Sequence, residues 1–493
     1  MTEPCILSLD QGTSSSRAIL FSLSGDIQSL YQQPVDLIYP QNGWVEQDAK
    51  SIIDTTISSI SKIVNEAKDN SVEITALAIV NQRETTICWA RKTGEPVYNA
   101  IVWQDRRTAE YCNKLKEGGY EKEVQSRTGL LLDPYFSATK IKWILDHVDG
   151  ARALAEQGDL LFGTVDCYVL WHLTNGRVHA TDITNASRTM LYNIIGQKWD
   201  DYLIELFEIP KNIFPKVLDN ISEFGRIDCD GIDSNLPILG MAGDQQSALI
   251  GQGCFQVGMT KSTYGTGCFA LTNIGSEFKV SENKLLSTVA YRINDDITYA
   301  LEGSIFNAGT AIQFLRDNLG MFEHASETEK MAMSVDNNGG VYFVPALTGL
   351  GAPYWNPKAR GVVCGLGRDS TKEHIVRAAL EAQAYQTNDL LEAMKSDSGA
   401  EISVIRADGG LVVNEFMCQF LADILGVAIE IPRVAEATAW GAACLAAIGS
   451  GLFSSLDDVS KNWKAERVYK PLRSQKEVMA LCAGWQEAIK RTF

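Results

Sequence analysis

Histidine is scarce in this chain of 493 residues. Only His147, His172, His179, His324 and His374 occur, and none stands in an H-x-x-x-H or H-E-x-x-H pattern. A histidine-driven mechanism or a catalytic zinc therefore finds no support. The eleven cysteines are scattered from Cys5 to Cys482, odd in number and without a C-x-x-C pair. They read as reduced, buried thiols rather than a zinc site or a disulfide framework, and they point to a reducing, cytoplasmic setting. Positive charge is in deficit: Lys+Arg total 44 against 61 Asp+Glu, a formal net charge of -17. That balance argues against general binding of nucleic acid or anionic membranes, while leaving room for a local basic pocket. No apolar run reaches the ~18 residues that a membrane helix needs. The opening segment MTEPCILSLD has an early acid and no basic stretch before a long apolar one, so no secretion signal is expected. The P-loop pattern G-x-x-x-x-G-K-S/T is absent as well. GCFQVGMTKS spaces its glycines correctly but carries Met259 where lysine is required.

What is present is ordinary globular composition, 45% hydrophobic and 21% charged, in a chain long enough for two to three domains. Apolar runs alternate with helical patterns and no long linker intervenes, which predicts an α/β architecture. Residues 74–80 (ITALAIV) read as a buried strand. Residues 372–394 read as a long helix rich in Ala, Leu and Glu, and residues 436–447 (EATAWGAACLAA) as a helix of small side chains that lets backbones approach closely.

The segment LSLDQGTSSSRAIL, from Leu7 to Leu20, sets an apolar run against one aspartate, a Gly-Thr pair, further hydroxyls and an arginine. It reads as strand, turn, strand, and KSTYGTGCFALTN from Lys261 echoes it about 250 residues later. The echo predicts two related halves, residues 1–249 and 250–493. A Gly-Thr turn between strands exposes backbone N–H groups, and with the hydroxyls these can cradle phosphate oxygens. Asp10 cannot touch phosphate directly, but fits if Mg²⁺ lies between them; Arg17 could neutralise phosphate charge. For either hairpin alone, an ordinary turn is the better explanation of the residues; the second copy, at Gly265–Gly267, tips the balance toward phosphate. GTGCFA (265–270) also matches the dinucleotide pattern G-x-G-x-x-A, but the following LTNIGSEF reads as strand and turn, not helix, so that site is discounted. A third glycine turn lies in RADGGLVVNEFMCQFLADILG from Arg406, where a strand meets Asp-Gly-Gly and then a helical pattern; a nucleotide can lie against such a turn.

Substrate groups are sought beyond the carboxyl ends of strands, where ligands of α/β sheets collect. NQRETT follows the strand at 74–80 and offers Arg83 and Glu84 as adjacent donor and acceptor, a pairing that suits hydroxyls. On the residues alone, a surface ion pair is the ordinary expectation for these two. Asp244, in ILGMAGDQQSAL, stands at a Gly-Asp turn where a carboxylate can take a hydroxyl proton during phosphoryl transfer, or can simply cap a helix. Trp103, Tyr135 and Phe269 can wall the carbon face of a small polyol, although aromatics more often serve the core.

These segments resemble the FGGY carbohydrate kinases nearly end to end, and in particular their glycerol-phosphorylating members. LDQGTSSSRAI, TNASRTML, AGDQQSAL, YGTGCF, FVPALTGLGAPYW and DGG carry the likeness. YFSATKIKWILDH (135–147) and GVVCGLGRDSTKEHIVRAALE (361–381) fit the two family signatures. The resemblance implies two RNase-H-like domains of the actin-like ATPase kind flanking a cleft, and ATP-dependent phosphorylation of glycerol to sn-glycerol 3-phosphate. By motif it implies that Arg83, Glu84, Tyr135, Asp244 and Gln245 contact glycerol, with Trp103 and Phe269 on its carbon chain. It implies that Thr13, Ser14, Ser15, Arg17, Thr266, Gly309, Gln313, Gly410 and Asn414 contact the nucleotide, that Asp10 helps place Mg²⁺, and that Asp244 is the base. Members of the family are often homodimers or homotetramers, so the same is expected here.

One departure concerns regulation. Some bacterial members bind fructose 1,6-bisphosphate at a glycine- and arginine-bearing loop, whose counterpart here is DCDGIDSNLP (228–237), with one glycine, three aspartates and no arginine. The region also lacks the histidine that some relatives offer for phosphorylation. Neither control is expected. Two other activities stay open from sequence: a kinase for another polyol or ketose, and an actin- or chaperone-like ATPase that needs no acceptor.

Overall fold

The computed structural model describes residues 3–356 and 358–492. Two twisted sheets organise the chain, and five strands of each follow the same order; the antiparallel edge strand precedes the second parallel strand in the first sheet and follows it in the second. In the first, the strand Cys5–Gln11 pairs antiparallel with Ser15–Ser22, which pairs antiparallel with Ile27–Pro34. On the other side of Cys5–Gln11 run the parallel strands Ile74–Asn81 and Pro237–Gly243, closed by antiparallel Ile221–Arg226. In the second sheet, Met259–Tyr264 takes the place of the first strand. Cys268–Gly275 and Asp296–Ile305 follow it antiparallel, Val404–Asp408 and Ile429–Pro432 run parallel, and Ala465–Tyr469 closes the edge antiparallel. One further strand, Leu286–Ile293, extends the antiparallel side. The echo between the two hairpins is thus one part of a repeat that spans both sheets.

Strand alternation decides what each face meets. Cys5, Leu7, Leu9, Leu77 and Ile79 point to one side, where the helix Ala49–Asp69 lays Ile52, Ile53, Ile60 and Ile63 on them. Ile6, Ala76, Ala78 and Val80 point to the other, against the helix Ala437–Gly449. That helix belongs to the second half of the chain, yet it packs on the first sheet. Leu271, Ala290 and Ala300 of the second sheet join the same cluster. The shared core between the two sheets mixes alanines with large side chains such as Phe21, Tyr291, Trp440 and Phe453. The larger core of the second half lies on the opposite face, where the long helix Lys372–Ser398 covers Ala270, Val289, Leu301 and Ile405.

Two glycines set the closest approach. A Cβ on Gly251 would overlap the carbonyl oxygen of Ala437, and one on Gly441 would overlap the carbonyl oxygen of Ser247. The helix Asp244–Gly251 and the helix Ala437–Gly449 hold equivalent places in the two sheets, each following the second parallel strand. The contacts are reciprocal: a residue and the one four places on in one helix meet their counterparts in the other in reverse order. An approximate two-fold axis therefore passes between these helices. The hydroxyl of Ser247 also donates to the carbonyl of Thr438 at 2.6 Å.

The regular elements follow the sequence expectations closely. The strand expected over 74–80 spans Ile74–Asn81, and the helices expected over 372–394 and 436–447 span Lys372–Ser398 and Ala437–Gly449. GTGCFA leads into the strand Cys268–Gly275, as required for discounting a dinucleotide site. After the Asp-Gly-Gly turn, a short 3₁₀ turn, Gly410–Val413, precedes the helix Glu415–Leu425. All eleven cysteines are unpaired, eight of them buried, and among the described residues no helix is long and apolar enough to cross a membrane. Replacing Gly441 by alanine is expected to force the two helices apart, at a cost of ~1–3 kcal/mol for overpacking a tight contact. A denaturant titration that finds the variant as stable as the parent would contradict this packing.

Candidate active site

The register of the first sheet places Gln11, Asn81 and Gly243 in one row. Just beyond that row, at the carboxyl edge of three neighbouring strands, stand Gly12–Thr13, Arg83–Glu84 and Asp244. The second sheet pairs Thr263 with Asp408, which sets Gly265–Thr266 beside Gly409–Gly410. Three segments expected to bear nucleotide contacts do meet there. The amides of Ala308 and Thr310 donate to the carbonyl of Thr266 at 3.1 and 3.2 Å, and that of Gly309 donates to Gly265 at 2.9 Å. Gly409, with φ 94°, lies so close to Tyr264 that a Cβ would strike its backbone. Gln313 is exposed on the helix Gly309–Asp317. Asn414 caps the helix Glu415–Leu425, accepting from the amide of Met417 at 2.9 Å and donating to Thr328 at 3.2 Å.

In the first half, the indole N–H of Trp103 donates to the hydroxyl of Thr13 at 2.9 Å, and its ring meets Tyr135 edge-on at 5.7 Å. The aromatic wall and the first hairpin are thereby one structure. Ser14 is exposed and Ser15 half-buried at the start of the return strand. Arg17 lies opposite Asp10 in register and forms an ion pair with it, while its other nitrogen reaches Glu436 at 2.8 Å. Loss of hydration pushes the Asp10 carboxyl up, and Arg17 opposes that shift.

The expectation of a surface ion pair for Arg83 and Glu84 is overturned: both side chains are 2% exposed. Nor do they chiefly pair with each other, since Arg83 Nε lies 3.8 Å from Glu84. Arg83 instead makes a two-pronged pair with Glu302, at 2.6 and 2.9 Å, and its Nε lies 3.1 Å from Asp244. Glu84 accepts from Arg188 at 2.6 Å, and Arg188 also reaches Glu302 at 3.1 Å. Burial pushes Glu302 up, but Arg188 and Arg83 outweigh it and hold the group at about 2. Lys261 completes the set, donating to Gln245 and to Thr263, the latter at 3.0 Å. Three cations thus face three carboxylates in a largely dehydrated space, where leaving any one unpaired is costly.

Asp244 is the exception to that dehydration, with its side chain 30% exposed. It is the first residue of its helix, one place inside the capping position, which Gly243 holds; its Oδ1 accepts from the amide of Gln245 at 2.7 Å, so the carboxylate also serves the helix end. Loss of hydration raises its carboxyl, and Arg83 and Lys261 oppose the rise.

Glu84 adopts φ 59°, a left-handed conformation that costs a non-glycine residue energy. Its carbonyl is clamped by Thr86, Ser137 and Lys140, at 3.0, 3.1 and 3.4 Å. Lys140 is itself buried, and loss of hydration lowers it to about 8 despite Glu84 nearby. Behind this layer, Asp182 accepts from Thr184, Asn185 and Asn220. Asn220 donates in turn to the carbonyl of Met241, and the Thr184 hydroxyl receives the amide of Gly243. The turn that carries Asp244 is thereby fixed from below.

Sequence reasoning missed Arg188, Glu302, Lys261 and Lys140. Arg188 lies inside TNASRTML, and Lys261 opens the second hairpin. For Glu302 the available signal was a lone acid inside the otherwise apolar run ITYALEGSI.

The arrangement is that of a carbohydrate kinase, and the chain belongs to the FGGY family of carbohydrate kinases: the family's N-terminal domain model matches residues 5–251 and its C-terminal model residues 260–450. The chain is 55% identical to the glycerol kinase of Nitrosomonas eutropha, covering 99% of this chain and 98% of that one. It is 52% identical to glycerol kinase 1 of Pseudomonas aeruginosa, over 99% and 98%. Among solved structures, Plasmodium falciparum glycerol kinase with ADP superposes with a TM-score of 0.96 at 35% identity, over 100% of this chain and 99% of that one. A xylulose kinase of Lactobacillus acidophilus, 22% identical, shares the fold with a TM-score of 0.89 over 99% and 97%.

Asp166 yields a test of the buried polar layer. It accepts from Thr164 and Thr181, both at 2.5 Å. Burial and neighbouring Asp182 raise it to about 7. A raised carboxyl favours the folded state while it is protonated, and that contribution fades as pH climbs from its unfolded value near 4 through about 7. The difference in unfolding free energy between the parent and Asp166→Asn is therefore expected to move against the parent over this range. A pH-independent difference in parallel denaturation curves would show that Asp166 is already ionised in the folded protein.

Proposed function

We propose that the protein transfers the terminal phosphoryl group of ATP to glycerol, giving sn-glycerol 3-phosphate. The observation that carries this reading is the meeting of buried Arg83 and Glu84 with the partly exposed Asp244 beside the Trp103–Tyr135 wall. A polyol needs donors and acceptors at fixed places and an apolar surface for its carbon chain. The identity to glycerol kinases along the whole chain supports the same substrate.

On this reading, Arg83, Glu84, Tyr135, Asp244 and Gln245 hold the hydroxyls, and Trp103 and Phe269 pack on the carbons. Thr13, Ser14, Ser15 and Thr266 present the hairpin donors to the phosphates. Gly309, Gln313, Gly410 and Asn414 receive the rest of the nucleotide, and Arg17, paired with Asp10 and Glu436, offsets phosphate charge. Asp244 accepts the proton of the attacking hydroxyl. Its raised carboxyl brings it nearer the working pH, as a general base requires. Closure of the two halves excludes water, the competing acceptor.

Mg²⁺ fits this chain through Asp10, a buried carboxylate at the end of the first strand. Magnesium usually takes one or two carboxylates together with substrate phosphates rather than a cage of protein ligands. It would supply charge to the phosphates, and Asp10 would orient it.

The loop 228–237 lies between the last two strands of the first sheet. Its Asp233 pairs with Lys68 at 2.6 Å, and Asp230 lines a shallow concavity of about 400 Å³ with Ser61 and Asn65. This acidic lining supports the expectation that fructose 1,6-bisphosphate is not an effector.

Formation of ADP that depends on glycerol is the deciding assay; ADP release without any acceptor would favour an ATPase of the actin or chaperone kind. Asp244→Asn is expected to lower kcat by at least ~100-fold, the lower range for a general base, and near-normal turnover would remove Asp244 from that role. Arg83→Ala is expected to raise KM for glycerol far more than KM for ATP, and equal effects would count against substrate contact.

A further inference from the structure

Glu302 lies in the second half of the chain, in the middle of the strand Asp296–Ile305, and pairs in register with Leu271. Leu271 in turn pairs with Lys261, so this row of the sheet carries Glu302 and Lys261 toward the first half. There Glu302 meets Arg83 and Arg188 and makes three hydrogen bonds to them. It is 2% exposed, so it has no contact with bulk solvent to exchange for these partners.

Arg83 faces a choice between two carboxylates. Its terminal nitrogens are held by Glu302, while its Nε lies 3.1 Å from Asp244. A guanidinium prefers a two-pronged pair. With Glu302 neutralised, the nearest carboxylate able to offer both oxygens is Asp244. We propose that Glu302 is a positioning residue that keeps Arg83 from closing on both oxygens of Asp244, limiting it to the single Nε contact, leaving one carboxylate oxygen of Asp244 for the attacking hydroxyl and aiming Arg83 at glycerol. The inference rests on the function proposed above. It places a residue of the second half in control of substrate groups that the first half supplies, and so ties correct seating of the two halves to a competent site.

The groups facing Asp244 all bear on its titration. Arg83 reaches it from the end of the strand Ile74–Asn81, Lys261 from Met259–Tyr264 and Glu302 from Asp296–Ile305. Glu84 and Arg188 lie one partner further out, and Asp408 acts on Lys261. Removing the charge of Glu302 withdraws a group that raises Asp244 and frees Arg83 to lower it. Both changes act in the same direction.

The test compares the parent, Glu302→Gln and Glu302→Asp. In Glu302→Gln, the acid limb of the pH profile of kcat/KM for glycerol is expected to move down by about one pH unit. KM for glycerol is expected to rise ~10- to 100-fold, the scale of one lost charged hydrogen bond, with KM for ATP nearly unchanged. Glu302→Asp keeps the charge but is one methylene short of a two-pronged reach. It should return the acid limb toward that of the parent while KM for glycerol stays raised, and it serves alone if the glutamine variant does not fold. A parental acid limb and a parental glycerol KM in Glu302→Gln, or a parental glycerol KM in Glu302→Asp, would overturn the proposal. Should the parent itself prove inactive on glycerol, the function proposed above fails, and a crystal structure of Glu302→Gln decides this inference independently. Arg83 closed on both oxygens of Asp244 supports it, and Arg83 unmoved refutes it.

Discussion

The pair between Arg83 and Glu302 is the interaction on which the site depends. It joins two halves of the chain through side chains that have no water to fall back on. Every neighbouring charge is arranged around it: Arg188 shares Glu302 and satisfies Glu84, and Lys261 faces Asp244 and Gln245. Such a cluster is stable only when complete, since a buried charge without its partner is penalised by the full loss of hydration. The structure therefore resists partial assembly, and each half is an imperfect environment for its own charged groups until the other is in place.

Strain is handled in the same way. Glu84 sits in a conformation that an ordinary residue avoids, and three donors on its carbonyl keep it there. None of those donors needs to touch a substrate to matter. The polar layer around Asp182 does for Asp244 what the carbonyl clamp does for Glu84: it fixes the backbone, leaving the side chain free to act. Precision at the cleft rests on hydrogen bonds made one layer behind it.

Much of this was legible in the sequence where the cause is local. Gly12 and Gly265 announce their turns because turn chemistry depends on adjacent residues, and the alternating apolar runs announce strands. Arg83, Glu84 and Asp244 stand out in the sequence because they follow strands. Their environment was not: adjacency suggested that Arg83 and Glu84 neutralise each other at the surface, whereas burial assigns each a partner far along the chain. Glu302 is 219 positions from Arg83 and Arg188 is 104 from Glu84. No periodicity encodes such a pairing. Lys261 and Lys140 were invisible for the same reason, since a lysine in a strand or helix reads as solvent-facing until the fold covers it.

The reciprocal contact of Gly251 and Gly441 has a mechanical meaning. Where two helices touch through side chains, interlocking rows favour particular crossing angles. Where they touch through bare backbone, the spacing is fixed but few bulky groups oppose a change of angle. Placed on the approximate symmetry axis, this contact acts as a spacer common to both halves: one added methyl group on either glycine would meet backbone rather than a side chain that could swing aside, and would unseat both sheets at once.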